Sequence, residues 1–127
     1  MENLITEDVI GAAIEVHRSL GPGLLESAYE GCLCHELHLR GLDFERQKEL
    51  PVLYKGCLID CGFRLDLLVG GAVIVEIKAV DRILPIHQAQ VLTYLRMTGL
   101  RVGLILNFNS LRLTNGIKRV VLSFSEE

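Results

Sequence analysis

Apolar positions recur at two different periods along this chain, and the change of period marks its elements. Ile10, Ala13, Ile14 and His17 fall at i, i+3, i+4 and i+7, the stripe of a helix buried on one face. That helix is expected to start near Thr6, with Glu7 and Asp8 in the first turn complementing its dipole. The tripeptide "GPG" at 21–23 breaks it, and Pro22 suits the opening turn of a second helix. The second helix runs to about Arg40, stops at Gly41, and carries Glu26, Tyr29, Leu33 and Leu37 on its inner stripe. Three strand-like runs follow, near 44–54, 57–69 and 72–78, with "YKG" (54–56) and "VGG" (69–71) as their turns. Pro85 opens a third helix that ends near Gly99, followed by strands at 102–108 and near 118–124. The order is α-α-β-β-β-α-β-β. The strand–helix–strand crossover between 72 and 108 requires a parallel pair, so the sheet is mixed. Without an internal repeat, a low-complexity tract or a linker, the pattern describes one α/β domain over residues 1–127.

Composition narrows the class. A chain of 127 residues, 50% hydrophobic and 23% charged, can bury a real core. No apolar run approaches a membrane span, and "MENLITEDVIG" lacks a basic stretch followed by an apolar one, so a cytoplasmic protein without membrane association is expected. The net charge of −3 argues against a surface that coats nucleic acid. Residues 1–63 hold 5 Lys/Arg against 11 Asp/Glu and residues 64–127 hold 8 against 5, so any polyanion meets the second half. Cys32 and Cys34 project to different sides of a helix, and no C-x-x-C is present. Cys57 and Cys61 lie about 13 Å apart along a strand, too far to chelate one ion together. The four thiols read as reduced and mostly packed.

One stretch does not fit a purely structural reading. "VIVEIKAV" (73–80) is a buried-strand sequence that places Glu76 and Lys78 on one face. Alone, such a pair is ordinarily a solvated surface ion pair contributing about 0–1 kcal/mol. The preceding strand, "FRLDLLV", adds Asp66. A two-residue Gly70-Gly71 hairpin would set Asp66 opposite Val75 and on the wrong face from Glu76, whereas a three-residue loop or a bulge brings the carboxylates into phase. Asp66, Glu76 and Lys78 would then form D-(x)9-E-x-K on one face. Two carboxylates there can hold a hard divalent cation such as Mg²⁺, and a lysine beside them can orient an attacking water or offset developing negative charge.

D-(x)n-E-x-K between strands, followed by a helix, resembles the PD-(D/E)XK nuclease superfamily. "GLLESAY" matches G-x-x-E-x-x-Y through Gly23, Glu26 and Tyr29, the signature of the small GxxExxY proteins within it. "HRSLGPGLLESAYE", "FRLDLLV", "VIVEIKAV" and "HQAQVLTYLRMTGLRVGLILNF" extend the resemblance over nearly the whole chain. Leu65 stands where the superfamily's name has proline, as in diverged members. Gln90 and Tyr94 form Q-x-x-x-Y, one helical turn apart, and resemble the RecB-like and lambda-exonuclease-like branch. The resemblance implies a restriction-endonuclease-like three-layer core and Mg²⁺- or Mn²⁺-dependent hydrolysis of DNA phosphodiesters. Asp66 and Glu76 would bind metal, Glu26 would join the metal shell directly or through water, and Lys78 would position or polarise. Gln90 and Tyr94 would brace the site or touch the nucleic-acid backbone, and a homodimer would be in keeping with other members. Tyr29 and His17 are weaker candidates, since each reads more readily as a packed side chain with an anchored polar atom. The alternative function is a catalytically silent nuclease-like module that works through a protein partner.

Overall fold

In the computed structural model, residues 1–123 are described. Helix α1 spans Glu2–Leu20, a turn earlier than the pattern suggested. The Thr6 hydroxyl donates to the Asn3 carbonyl at 2.8 Å, so Thr6 lies inside the helix and caps nothing. The buried face runs through Ile5, Val9, Ala12, Ala13, Val16 and His17, and Ile10 and Ile14 sit at its margin. Helix α2 (Glu26–Leu39) starts after the Gly-Pro-Gly segment rather than at Pro22. Its stripe of Tyr29, Leu33 and Leu37 is buried, but Glu26 is exposed.

The two long expected strands are each broken. Residues 44–54 divide into β1 (Phe44–Glu49) and β2 (Val52–Tyr54), and residues 57–69 into β3 (Cys57–Ile59) and β4 (Arg64–Val69). Proline has no N–H to offer a ladder, so pairing stops at Pro51. The last bond before the break is Leu50 N–H to the Phe63 carbonyl, at 2.9 Å. Beyond it, β2 and β3 form a separate two-stranded hairpin. Its tip, Lys55-Gly56, has φ of 50° and 79°, the pair of positive values that a type I′ turn needs.

The main sheet completes with β5 (Val73–Lys78), β6 (Val102–Asn107) and β7 (Ile117–Val121), in the order β1-β4-β5-β6-β7. Only β5 and β6 are parallel, joined by α3 (Pro85–Thr98). Gly99 ends α3 in the left-handed conformation, as its position suggested. The last strand was expected to reach 124, which lies outside the described residues. Helices α1 and α2 cover one face of the sheet through Leu67, Val69, Val75, Ile77, Leu104 and Leu106. Helix α3 covers the other through Leu68, Ile74 and Ile105. The result is three layers with β5 buried on both faces, which explains its near-continuous apolar sequence. Among the described residues no helix is long and apolar enough to cross a membrane.

The approach of α3 to the sheet depends on Gly103 in β6, where a Cβ would lie 2.5 Å from Val91 Cγ1 and 3.5 Å from the Ile74 carbonyl oxygen. Gly103→Ala should therefore push α3 outward and cost about 1–3 kcal/mol in chemical denaturation. An unchanged midpoint would mean that α3 is not seated on this strand.

Candidate active site

The β4–β5 hairpin sets the register of the site. Val69 pairs with Val73, Leu68 with Ile74 and Leu67 with Val75, leaving a three-residue loop of Gly70, Gly71 and Ala72. Gly70 and Gly71 take φ of 62° and 66°, which glycine adopts without a side-chain clash. This is the loop length that brings Asp66 level with Glu76. Pairing then stops, and side chains take over the next two bonds. The Asp66 N–H donates to Glu76 Oε2 at 3.0 Å, and the Ile77 N–H donates to Asp66 Oδ2 at 2.9 Å. The side-chain alternation also slips here: Leu65 and Leu68 pack on the α3 face, while Leu67 and Val69 pack on the other. The two strands thus part around a pair of carboxylates.

On the other side of β4, Gln47 of β1 faces Asp66. Its neighbours pair regularly, Arg46 with Leu67 and Lys48 with Leu65, but Gln47 itself takes φ of 53°, uncommon for a residue with a side chain. That turn aims its amide at two acids. Gln47 Nε2 donates to both oxygens of Glu30 at 3.0 Å and reaches Asp66 Oδ1 at 3.4 Å. Arg46 Nε donates to Glu30 Oε2 at 2.7 Å, so the buried Glu30 is paired. At the far end of β5, the side chain of Asn107 bonds both the N–H and the carbonyl of Val80, at 3.0 and 2.9 Å. The Phe108 N–H bonds the Lys78 carbonyl at 2.9 Å. Both contacts hold the backbone that carries Lys78.

Burial and like charge raise the carboxyl pKa values. Glu76 is 5% exposed, and desolvation, followed by the charge of Asp66, pushes its pKa up to about 7. Asp66 is raised by desolvation and then by Glu30 and Glu26, against the bond from Ile77 and the charge of Lys78. The Tyr94 phenol is raised by burial and then by the charges of Glu76 and Asp66.

The candidates from the sequence divide into three groups. Asp66, Glu76, Lys78 and Tyr94 interact at one place. Lys78 is half-buried, its side chain makes no hydrogen bond or close ion pair among the described residues, and its charge offsets that of both acids. Glu26 and Gln90 stand exposed at the periphery, and Glu26 reaches Asp66 only through its charge. Tyr29 and His17 serve other contacts. The Tyr29 hydroxyl donates to the Gly21 carbonyl at 2.6 Å and accepts from the Leu24 N–H at 3.0 Å, while its ring stacks on Phe108 at 4.6 Å. His17 Nε2 bonds the Ser110 carbonyl at 2.7 Å. The G-x-x-E-x-x-Y spacing therefore pins the Gly-Pro-Gly segment to the core. Sequence reasoning missed Glu30, Gln47 and Asn107. Glu30 sits i+4 from Glu26 and i−3 from Leu33 on the same stripe, the one signal it offered, and "FERQKE", polar after Phe44, gave none for Gln47.

A family model of the PD-(D/E)XK nuclease superfamily matches residues 3–120. The chain belongs to the PD-(D/E)XK nuclease superfamily. Comparison with curated proteins and with solved structures returns no match. The mixed five-stranded sheet between helices is consistent with the restriction-endonuclease-like core of this superfamily, whose members are usually nucleases and typically use divalent metals.

The donors present fit such an ion in a restricted way. Among the described residues no three His, Cys, Asp or Glu side chains converge closely enough to hold one together. The expected shell of Glu26, Asp66 and Glu76 is thus not assembled, and Glu30 is committed to Arg46 and Gln47. Asp66 and Glu76 remain, and Mg²⁺ commonly takes only one or two carboxylates, keeping its waters for a substrate phosphate.

The raised pKa of Glu76 makes stability depend on pH. Its ordinary value is 4.5 and its folded value about 7, so the folded chain holds this proton more tightly than the unfolded chain. The associated stabilisation is complete below about pH 4.5 and is lost as pH rises through about 7, with an upper size on the order of 3 kcal/mol. Asp66 acts in the same direction. In chelator, the melting temperature should fall between about pH 5 and pH 8. Glu76→Gln should flatten that fall and match or exceed wild type at the alkaline end. Parallel curves for the two proteins would show that the Glu76 carboxyl titrates as it does in the unfolded chain.

Proposed function

We propose that this chain is a divalent-metal-dependent nuclease that hydrolyses DNA phosphodiesters, of the GxxExxY group and akin to the RecB-like and lambda-exonuclease-like branch. The observation that carries this reading is the parting of β4 and β5 around Asp66 and Glu76, with Lys78 on the same strand face as Glu76. A bound Mg²⁺ or Mn²⁺ would supply charge neutralisation at the scissile phosphate and a more acidic water. Asp66 and Glu76 are the residues that would hold it. Each already has one oxygen fixed by a backbone N–H, which orients the carboxylate before anything binds. Glu26, at the first turn of α2, would act through water from the rim. Gln47 keeps Glu30 and Asp66 apart and so positions Asp66.

Lys78 has the charge and the freedom to hydrogen-bond an attacking water. The water gives up one proton to bulk solvent as its oxygen bonds to phosphorus, one phosphorus–oxygen ester bond breaks, and the leaving alkoxide takes up a proton from solvent. The Lys78 ammonium then faces the added negative charge on phosphate. Tyr94 is buried on the α3 face in one cluster with Leu65 and Ile74, and its phenol feels the charge of both acids.

One feature favours the second reading, a catalytically silent module with a protein partner. Leu53 and Leu58, on one face of the β2–β3 hairpin, are 66% and 69% exposed. A cleavage assay on plasmid and linear DNA with Mg²⁺, Mn²⁺ and chelator separates the two readings. Lys78→Ala should abolish metal-dependent cleavage while leaving the melt unchanged, and Lys78→Arg should not restore it, because a planar fork cannot replace a compact ammonium. Cleavage retained in Lys78→Ala would make the lysine a bystander.

The metal assignment has its own readout. At about a hundredfold excess over its Kd, the ion should stabilise the folded chain by about 2.7 kcal/mol. Asp66→Asn and Glu76→Gln should each lose most of that shift in thermal melts. No shift in wild type at millimolar ion, or a full shift in both variants, would remove the carboxylates from the metal site.

A further inference from the structure

An apolar groove of about 310 Å³ opens between α3 and the start of the β2–β3 hairpin. Its walls include Val52, Phe63, Ile86 and Met97, with Gln90 and Tyr94 from α3. Phe63 is 43% exposed and stands edge-on to Tyr94, with ring centroids 6.2 Å apart. Tyr94 belongs to both places: it lines the groove, and its phenol lies in the field of Glu76 and Asp66. Tyr94 also packs in one cluster with Leu65, the residue before Asp66, so the groove runs up to the strand that carries this acid. Besides the Tyr94 hydroxyl, the groove holds one uncommitted polar side chain, an amide. Gln90 makes no hydrogen bond among the described residues, while the neighbouring Thr93 hydroxyl is spent on the Ala89 carbonyl at 3.0 Å. An amide offers both a donor and an acceptor.

The groove continues along the β2–β3 hairpin. Tyr54 shares a strand face with Val52, which lines the groove, and Tyr54 is 60% exposed. The Lys55 ammonium sits 5.3 Å from the Tyr54 ring centroid at the hairpin tip. An aromatic slot with an amide at its edge, leading to an aromatic–cation pair, matches alternating base and phosphate. Bases inside a duplex are stacked on one another and cannot enter such a slot. A net charge of −3 leaves little overall attraction for the phosphates of a duplex.

We propose that this groove is a base-binding subsite for an unpaired nucleotide, so that the substrate presents a single-stranded end or segment at the carboxylates. The inference rests on the nuclease reading for its link to cleavage, and it deepens that reading by naming the strandedness of the substrate. Phe63 supplies the stacking face and Gln90 reads the base edge. Tyr54 and Lys55 meet the next nucleotide.

Fluorescence anisotropy in chelator tests binding without cleavage, using labelled oligothymidylate, oligouridylate and a blunt DNA duplex of equal length. Wild type should bind both single strands at least tenfold more tightly than the duplex. Phe63→Ala should weaken single-strand binding about tenfold, a typical loss for one base–aromatic stack. Phe63→Trp should retain it, and duplex binding should not change in either variant. Gln90→Ala should weaken single-strand binding in the same direction. A thermal melt of each variant confirms that the fold is intact. Duplex binding as tight as single-strand binding, or single-strand binding unaffected by Phe63→Ala and Gln90→Ala, overturns the proposal. So does a result in which those variants only shift sedimentation from dimer to monomer, which would make the groove a self-association surface. A parallel cleavage assay in Mn²⁺ keeps the two readings apart. Groove-dependent single-strand binding without cleavage would sink the catalytic reading alone, and duplex cleavage indifferent to Phe63 would sink the groove alone.

Discussion

Two backbone N–H groups at the open end of the β4–β5 ladder have no carbonyl to receive them. Asp66 and Ile77 donate instead to the carboxylates of Glu76 and Asp66. A buried N–H needs a partner, and this need holds both acids in place where burial and mutual repulsion would expel them. The same exchange ends the sheet pairing, opens a gap between the strands, and lets polar chemistry reach the centre of a three-layer core. The arrangement costs stability in the charged state, seen in a Glu76 pKa near 7. Such a cost without a structural return is characteristic of residues kept for function.

The surrounding elements keep that gap from closing or fraying. On one side, Gln47 adopts a left-handed conformation that gives its amide to Glu30 and Asp66, while Arg46 balances the Glu30 charge. With the Arg46 side chain half exposed, this ion pair adds little stability and serves mainly to fix the Glu30 carboxylate. On the other side, Asn107 and the Phe108 N–H fix the chain that leaves Lys78. Beneath, Tyr29 stacks on Phe108 and ties down the loop before α2, with His17 tilted against the same ring at 6.3 Å. Tyr29 therefore acts on the site at a distance, by placing the first turn of α2 and the acids it carries.

The chain is small and acidic for a superfamily whose members are usually nucleases, and the proposed groove offers a way for these facts to coexist. Positive charge need not be spread over a broad face if bases supply much of the contact. The groove between α3 and the β2–β3 hairpin offers apolar and aromatic surface that runs up to the strand carrying Asp66. The hairpin itself packs little: Leu53, Tyr54, Leu58 and Ile59 are all exposed. An isolated two-stranded hairpin is marginal in water, so this one gains most of its order from what it touches.

The fold class was legible because period and punctuation are local properties. Apolar spacing, Gly-Pro-Gly, Lys55-Gly56, Gly70-Gly71, Pro85 and Gly99 placed three helices and a mixed sheet, and erred mainly at Thr6, at the start of α2 and at Pro51. Asp66, Glu76 and Lys78 were likewise visible, since charges in an apolar strand run conflict with their surroundings at the level of sequence. Even the register reduced to a choice of loop length, which the three residues Gly70, Gly71 and Ala72 decide. What spacing alone could not decide was which other polar residues converge there. Glu26 and Glu30 lie one turn apart on α2, and only the docking of that helix against β1 buries Glu30 and leaves Glu26 in solvent. Gln47 sits in a strand without alternation, and its role follows from one backbone angle opposite Asp66. The groove likewise arises where Pro51 turns the hairpin toward α3, joining residues from 52 to 97. Periodicity reports which face of an element is buried; the partners met on that face depend on contacts between elements far apart in the chain, and only the tertiary structure supplies them.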